Sequence, residues 1–307
     1  MTSSVEHPVA SGRPESIARL GVTGTDIMLL LMVLIWGVNF SIVKYGTTVI
    51  HPFAFNALRL ALASVVLVVA SSSARQAGPR ARDLPALLAL GVLGNGVYQL
   101  LFIAGIARTR AGNAALVLAA TPALVALIGR VRGSERVGGR AWAGILLSML
   151  GIALVVFSRP PADGRSSTLA GNLLILAGCV CWAVYTVLIE PYTQRLSPVT
   201  TSAVTMTAGT ATVVAFSVSP LLAVEWTRLP LAAWGSILYS GIGALAIAYV
   251  IWYRGVKVLG PTRTSMYSNL QPLAALLFAW LALGERPTSF QALGAATVIA
   301  GVLMTRR

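Results

Sequence analysis

Residues Thr121–Val155, TPALVALIGRVRGSERVGGRAWAGILLSMLGIALV, and Gln271–Met304, QPLAALLFAWLALGERPTSFQALGAATVIAGVLM, carry the same punctuation 150 positions apart. Each sets a proline inside an apolar run, then a Glu-Arg pair, then two glycines seven residues apart. A mid-helix proline removes a backbone hydrogen bond and clashes with the carbonyl four residues earlier, at a cost of about 3 kcal/mol. Sliding the chain by 150 pairs Pro122 with Pro272, Glu135 with Glu285, Arg136 with Arg286, Gly144 with Gly294 and Gly151 with Gly301. The same shift pairs Gly91 with Gly241, Gly105 with Gly255 and Leu127 with Leu277. In so apolar a chain the number of identities carries little weight. Their type does: all but the leucine are residues that set turns, helix ends and close contacts. Trp36 and Trp182 extend the repeat at a slightly shorter offset.

The 307 residues are 56% hydrophobic and 10% charged, against roughly 25% charged in soluble domains. This composition belongs in a bilayer. The net charge of +14 does not indicate nucleic acid, because Lys and Arg punctuate apolar segments instead of gathering on one accessible face. Cys179 and Cys181 lie two apart, where a helix turns them about 200° from each other, so neither a metal clamp nor a disulfide follows. His7 and His51 sit in a polar tail and at a span edge. No metal and no cofactor is expected. Residues 1–25 are polar, lack a short apolar core such as a signal peptide needs, and read as a disordered cytoplasmic tail.

A helix needs about 20 apolar residues to cross the hydrocarbon. Ten spans satisfy that length, near 27–46, 52–71, 84–107, 112–130, 140–158, 169–190, 199–222, 232–254, 262–283 and 289–305. With the N-terminus inside, 15 Lys and Arg fall on the inner side and 6 on the outer, so the positive-inside rule places both termini in the cytoplasm. The expected domains are 26–158 and 168–307, five spans each. An odd number inverts the second half relative to the first, and inverted repeats with a substrate site between them and at broken helices are a transporter signature. The two prolines fall in the fourth helix of each half, freeing carbonyls at Leu118 and Ser268 for a substrate or for bending. Packing kinks remain the alternative.

These two stretches, the ten spans, IWGVNF (Ile35–Phe40) in the first helix and LRLALA (Leu58–Ala63) in the second resemble the drug/metabolite transporter superfamily, and within it the ten-helix EamA-type exporters. The resemblance covers nearly the whole chain after the tail. It implies an all-α membrane protein with ten helices around a central cavity, alternating access, and export of small metabolites across a bacterial inner membrane. Exporters of aromatic and other neutral amino acids look closest. A monomer is expected, with a small molecule and the bilayer as its partners.

Residues at i, i+3, i+4 and i+7 share a helix face. That rule gathers Trp36, Asn39 and Phe40; Trp182, Tyr185 and Thr186; Asn95, Tyr98, Gln99 and Phe102; and Leu245, Ala248, Tyr249 and Trp252, with Tyr267 and Gln271 beside Pro272. Buried amides are costly unless paired, so they face protein or water. Cavity lining and helix-to-helix glue both fit them. Trp36, Trp182, Tyr98 and Tyr185 lie too deep for an interfacial belt, whereas Trp252 and Tyr253 could be interfacial anchors. Gly144, Ser148, Gly151, Gly294 and Gly301 form a small-residue stripe for close helix approach.

None of the nine acids falls in mid-span, so a buried carboxylate for proton-driven export of cations is missing and a neutral or zwitterionic substrate fits better. Efflux of aromatic or cationic xenobiotics is the alternative. If transport is ion-coupled, Glu190 is the candidate. Glu135 and Glu285 read as helix caps or loop locks. For Arg59 the resemblance suggests a structural role, and binding a substrate carboxylate stays open. With no buried His, Asp or Glu to serve a reaction, an enzyme is not expected.

Overall fold

The computed structural model describes residues 23–73, 78–108, 117–118, 120–134, 136–157, 169–274, 277 and 289–305. Among them every regular element is helical. We number the helices α1 Gly24–Val49, α2 Pro52–Ser73, α3 Ala81–Ile106, α4 Thr121–Arg132, α5 Gly139–Phe157, α6 Leu169–Arg195, α7 Pro198–Leu222, α8 Leu231–Leu259, α9 Pro261–Tyr267 and α10 Ser289–Thr305. Six of them (α1, α2, α3, α6, α7 and α8) are long and apolar enough to cross a membrane, and α5 and α10 hold shorter apolar stretches. Glu135 and Glu285, and parts of the fourth and ninth predicted spans, lie outside the described residues.

Local chemistry sets the ends. Thr23 and Asp26 form a capping box at the start of α1, the Thr23 amide donating to Asp26 Oδ2 at 2.8 Å and the Asp26 amide to Thr23 Oγ1 at 3.3 Å, which satisfies donors that a helix start otherwise leaves bare. Ser197 caps α7 and Pro198 opens it. Gly260, at φ +82°, and Pro261 cut α8 from α9 without an intervening loop. A side chain would be strained at that φ, and proline at the first helical position loses no hydrogen bond.

The helix surfaces are apolar outward, and polar side chains are buried within a largely apolar interior, unlike a soluble bundle. Val65, Leu146 and Phe216 are 62%, 62% and 71% exposed, while Arg59, Asn56, Asn95 and Thr205 are buried. Contiguous outward apolar surface of this extent suits hydrocarbon, not water.

Contacts between helices repeat under exchange of each helix with the one five places on. The pair α1–α8 becomes α6–α3, α2–α8 becomes α7–α3, and α4–α6 becomes α9–α1; α2–α7, α4–α9 and α5–α10 map onto themselves. At α5–α10 the reciprocity reaches single atoms. A Cβ built on Gly151 would lie 2.7 Å from the Gly294 carbonyl oxygen, and one on Gly301 would lie 2.5 Å from that of Gly144. The small-residue stripe therefore brings backbone against backbone.

The breaks in the helices differ from those expected. Pro122 stands second in α4, where its missing N–H costs nothing. Before Pro272 the chain tightens into a 3₁₀ turn, Ser268–Leu270, and the Gln271 amide donates to the Ser268 carbonyl. That carbonyl is not freed, because the tighter turn supplies a donor one residue before the proline. Two further interruptions were not legible: π-helical stretches at Val92–Val97 in α3 and Tyr239–Ile247 in α8, in corresponding places of the two halves.

Substituting Gly301→Ala should destabilise the detergent-solubilised protein by about 1–3 kcal/mol, the cost of overpacking. Gly139→Ala, which meets nothing within 4 Å, should leave the melting temperature within a degree or two of wild type, and thermal unfolding followed by intrinsic fluorescence compares the two.

Candidate functional site

Aromatic rings from α3, α6 and α8 converge on Trp182 of α6. Its ring centroid lies 5.1 Å from Tyr98 of α3, 5.4 Å from Tyr185, 5.5 Å from Tyr249 of α8 and 5.3 Å from Trp252. Trp36 of α1 closes the group at 5.9 Å from Tyr249 and 5.6 Å from Trp252. Helical spacing explains the supply, since Trp182 and Tyr185, and Tyr249, Trp252 and Tyr253, are three or four residues apart or adjacent on one turn. Such ring pairs contribute about 0.5–1.5 kcal/mol each beyond their burial. Trp252 and Tyr253 are fully buried, so they are interior residues and not interfacial anchors. Trp36 and Tyr98 stay half-buried. The Trp36 indole donates to the Ala244 carbonyl at 2.9 Å, inside the π-helical stretch of α8.

A polar network runs beside the rings. Arg59 of α2, 1% exposed, donates through Nε to Asn56 Oδ1 at 2.9 Å and through Nη2 to Gln99 Oε1 at 2.7 Å. Gln99 Nε2 donates to the Tyr249 hydroxyl at 3.2 Å, and Asn56 Nδ2 to the Gln99 carbonyl at 3.3 Å. One side chain on α3 thus joins α2 to α8. Deeper in α8, the Tyr253 hydroxyl bonds that of Tyr185, and both reach Thr205 Oγ1, at 3.1 and 3.2 Å. Asn95 is fully buried beside Tyr253, and its amide forms no hydrogen bond of good geometry among the described residues.

The face predicted for α3 is split. Asn95 packs against Gly209 of α7, Tyr98 against Trp182 of α6, and Gln99 bonds Arg59 of α2. The π-helical stretch widens the turn, so spacing by 3.6 fails across it. Other predicted residues lie apart from the ring cluster. Asn39 accepts from Ser240 Oγ at 2.6 Å. Tyr267 donates to Asp26, a buried acid at the start of α1. Gln271 and Pro272 are half-buried where α9 breaks. Glu190, near the end of α6, receives the Gln194 amide at 3.4 Å. A groove of about 400 Å³ lined by Val38, Ser41, Ile42, Tyr45, Ala232, Gly235 and Ser236 opens between α1 and α8, and none of these residues belongs to the cluster. Among the described residues, no three His, Cys, Asp or Glu side chains gather as a metal site. Sequence reasoning overlooked Asn56 and Thr205. Neither belongs to a periodic face of aromatics and amides, and their cross-helix partners lie 20 to 48 residues away.

The hydroxyl chain gives a stability test. Tyr185→Phe and Tyr253→Phe should each cost about 1 kcal/mol, and the double variant should cost less than the two together, because the Tyr–Tyr bond is lost only once. Denaturant unfolding of the four proteins in detergent measures the difference.

The EamA-like transporter family matches residues 23–157 and 169–307. An uncharacterized transporter of Archaeoglobus fulgidus is 31% identical over 285 residues, 92% of this chain and 96% of that protein. A protein of Streptantibioticus cattleyicolor named "Probable terminal-alkyne amino-acid exporter" is 30% identical, covering 91% of this chain and 92% of its own length. A crystal structure at 20% identity superposes with a TM-score of 0.75 over 91% of this chain and 95% of the other, which speaks for the fold. The chain belongs to the EamA-like transporter family, and is a multi-pass membrane transporter of small molecules, not an enzyme.

Proposed function

We propose that the protein exports neutral amino acids, aromatic ones favoured, across a bacterial inner membrane, by alternating access of two inverted five-helix repeats, 26–158 and 168–307, around a central cavity. The observation that carries this reading is the clustering of rings from α1, α3, α6 and α8 about Trp182, Tyr249 and Trp252. Each repeat contributes two of those helices, so relative motion of the repeats opens or closes the space between the rings. The reciprocal packing of Gly151 on Gly294 and Gly301 on Gly144 supports a two-fold relation between the repeats. The family's relatives include one named as an amino-acid exporter.

In this reading Trp36, Tyr98, Trp182, Tyr185, Tyr249 and Trp252 shape the binding region, with Asn39, Asn95, Gln99, Tyr267 and Gln271 as its polar members. Pro122 and Pro272 mark the helix breaks beside it. Glu190 is the group for any ion coupling, both termini are cytoplasmic, and the monomer is the working unit. Among the described residues the one buried acid near this region, Asp26, is bonded to Tyr267, and none touches the ring cluster; a desolvated cation there lacks a counter-charge, which weighs against cationic xenobiotics.

Purified protein in proteoliposomes should show saturable counterflow of phenylalanine and other neutral amino acids, and little uptake of aromatic cationic dyes. Trp36→Ala and Gln271→Ala should lower that transport several-fold at unchanged expression. Dye uptake without amino-acid counterflow would overturn the proposed substrate class.

A further inference from the structure

We propose that Arg59 is the carboxylate-binding group of this transporter, receiving the α-carboxylate of an amino acid at a site shared with Gln99 and Tyr249; this rests on the amino-acid reading above. The charge of Arg59 is the starting point. Its guanidinium lies about two turns into α2, almost wholly buried, and both of its hydrogen-bond acceptors are neutral amide oxygens, on Asn56 and Gln99. Among the described residues no carboxylate pairs with it, and no acceptor meets Nη1. A buried cation at membrane depth is costly unless an anion or strong acceptors offset it. Two neutral acceptors hold the side chain in place but leave its charge uncancelled.

The described acids are committed elsewhere. Asp26 holds Tyr267, Asp83 pairs with Arg195 at 3.1 Å, Glu225 pairs with Arg228 at 2.6 Å, and Glu190 receives Gln194. The missing anion can therefore come from a ligand. The guanidinium fork matches a carboxylate in a way that a point charge does not. The position fits too. Gln99 bridges Arg59 to the Tyr249 hydroxyl, and the Tyr249 ring packs edge-on to both Trp36 and Trp182. Tyr98, one residue before Gln99, rests its half-buried ring on Trp182. A zwitterion with its carboxylate on Arg59 brings its own counter-charge, and its ammonium can add cation–π attraction from the neighbouring rings. The ligand's carboxylate thus pairs with the Arg59 charge, which no described acid meets.

Gln99→Glu separates charge from scaffold. The new carboxylate still accepts from Arg59 and takes the Tyr249 hydroxyl as donor, so the helix contacts persist while the charge is cancelled from within. In proteoliposomes the wild type should carry phenylalanine with a KM about tenfold or more below that for phenylalaninamide, the value of one charge-assisted contact. In Gln99→Glu and in Arg59→Gln that preference should disappear. A preference that persists in both variants, or a wild type that does not distinguish the probes, overturns the assignment. Phenylacetate, a carboxylate without an ammonium, gives a readout independent of transport through quenching of tryptophan fluorescence in detergent. Quenching by phenylacetate in wild type but not in Gln99→Glu, without amino-acid counterflow, would keep the carboxylate site and discard the export reading. Counterflow without phenylacetate binding would do the opposite.

Discussion

Hydrocarbon offers no hydrogen bonds, so every polar group carried into the membrane has to be satisfied by the protein itself. That constraint explains why most polar side chains of the interior are paired while the exterior is bare Val, Leu and Phe. It bears hardest on Arg59. A charge there requires Asn56 one turn earlier to hold Nε and Gln99 from α3 to hold Nη2, and Gln99 in turn needs the Tyr249 hydroxyl. A single buried cation thus fixes the relative placement of α2, α3 and α8. The Tyr185–Tyr253–Thr205 chain does the same for α6, α7 and α8 without any charge.

The π-helical stretches sit where these networks meet. Val92–Val97 carries Gly94 against the Tyr185 ring and Asn95 against Gly209. Tyr239–Ile247 carries the Ala244 carbonyl that receives the Trp36 indole, and Ser240, which donates to Asn39. A wider turn gives up the regular i to i−4 ladder, and its displaced carbonyls and side chains then become available to neighbouring helices. The same device in the same place of both halves gives each repeat one helix whose two ends face different neighbours.

Much of the architecture was legible in the order of residues. Thr23 with Asp26, Pro52, Ser197-Pro198 and Gly260-Pro261 mark helix ends by chemistry that acts within one turn, and the predicted starts of α1, α2, α3, α7, α8 and α9 fall within about three residues of those observed. The stripe of Gly144, Gly151, Gly294 and Gly301 was readable because close approach leaves no room for a side chain. The binding region was readable only in part. Its aromatic members were found by helical spacing, but Asn95, Tyr98 and Gln99 were assigned one common face that the π-helical stretch divides among α7, α6 and α2. The interior placement of Trp252 and Tyr253 was ambiguous because distance from a span end cannot say which way a residue faces.

By itself the chain determined that it crosses a bilayer, where most of its helices begin, and that its two halves carry the same punctuation 150 positions apart, because span length and residue type are local properties. Only the tertiary structure decided that Trp36, Tyr98, Trp182, Tyr249 and Trp252 meet, that Arg59 is braced by neutral partners among the described residues, and that the Ser268 carbonyl is taken. Those facts depend on side chains up to more than 200 positions apart, or on a turn that tightens or widens by one residue, and neither leaves a trace in periodicity.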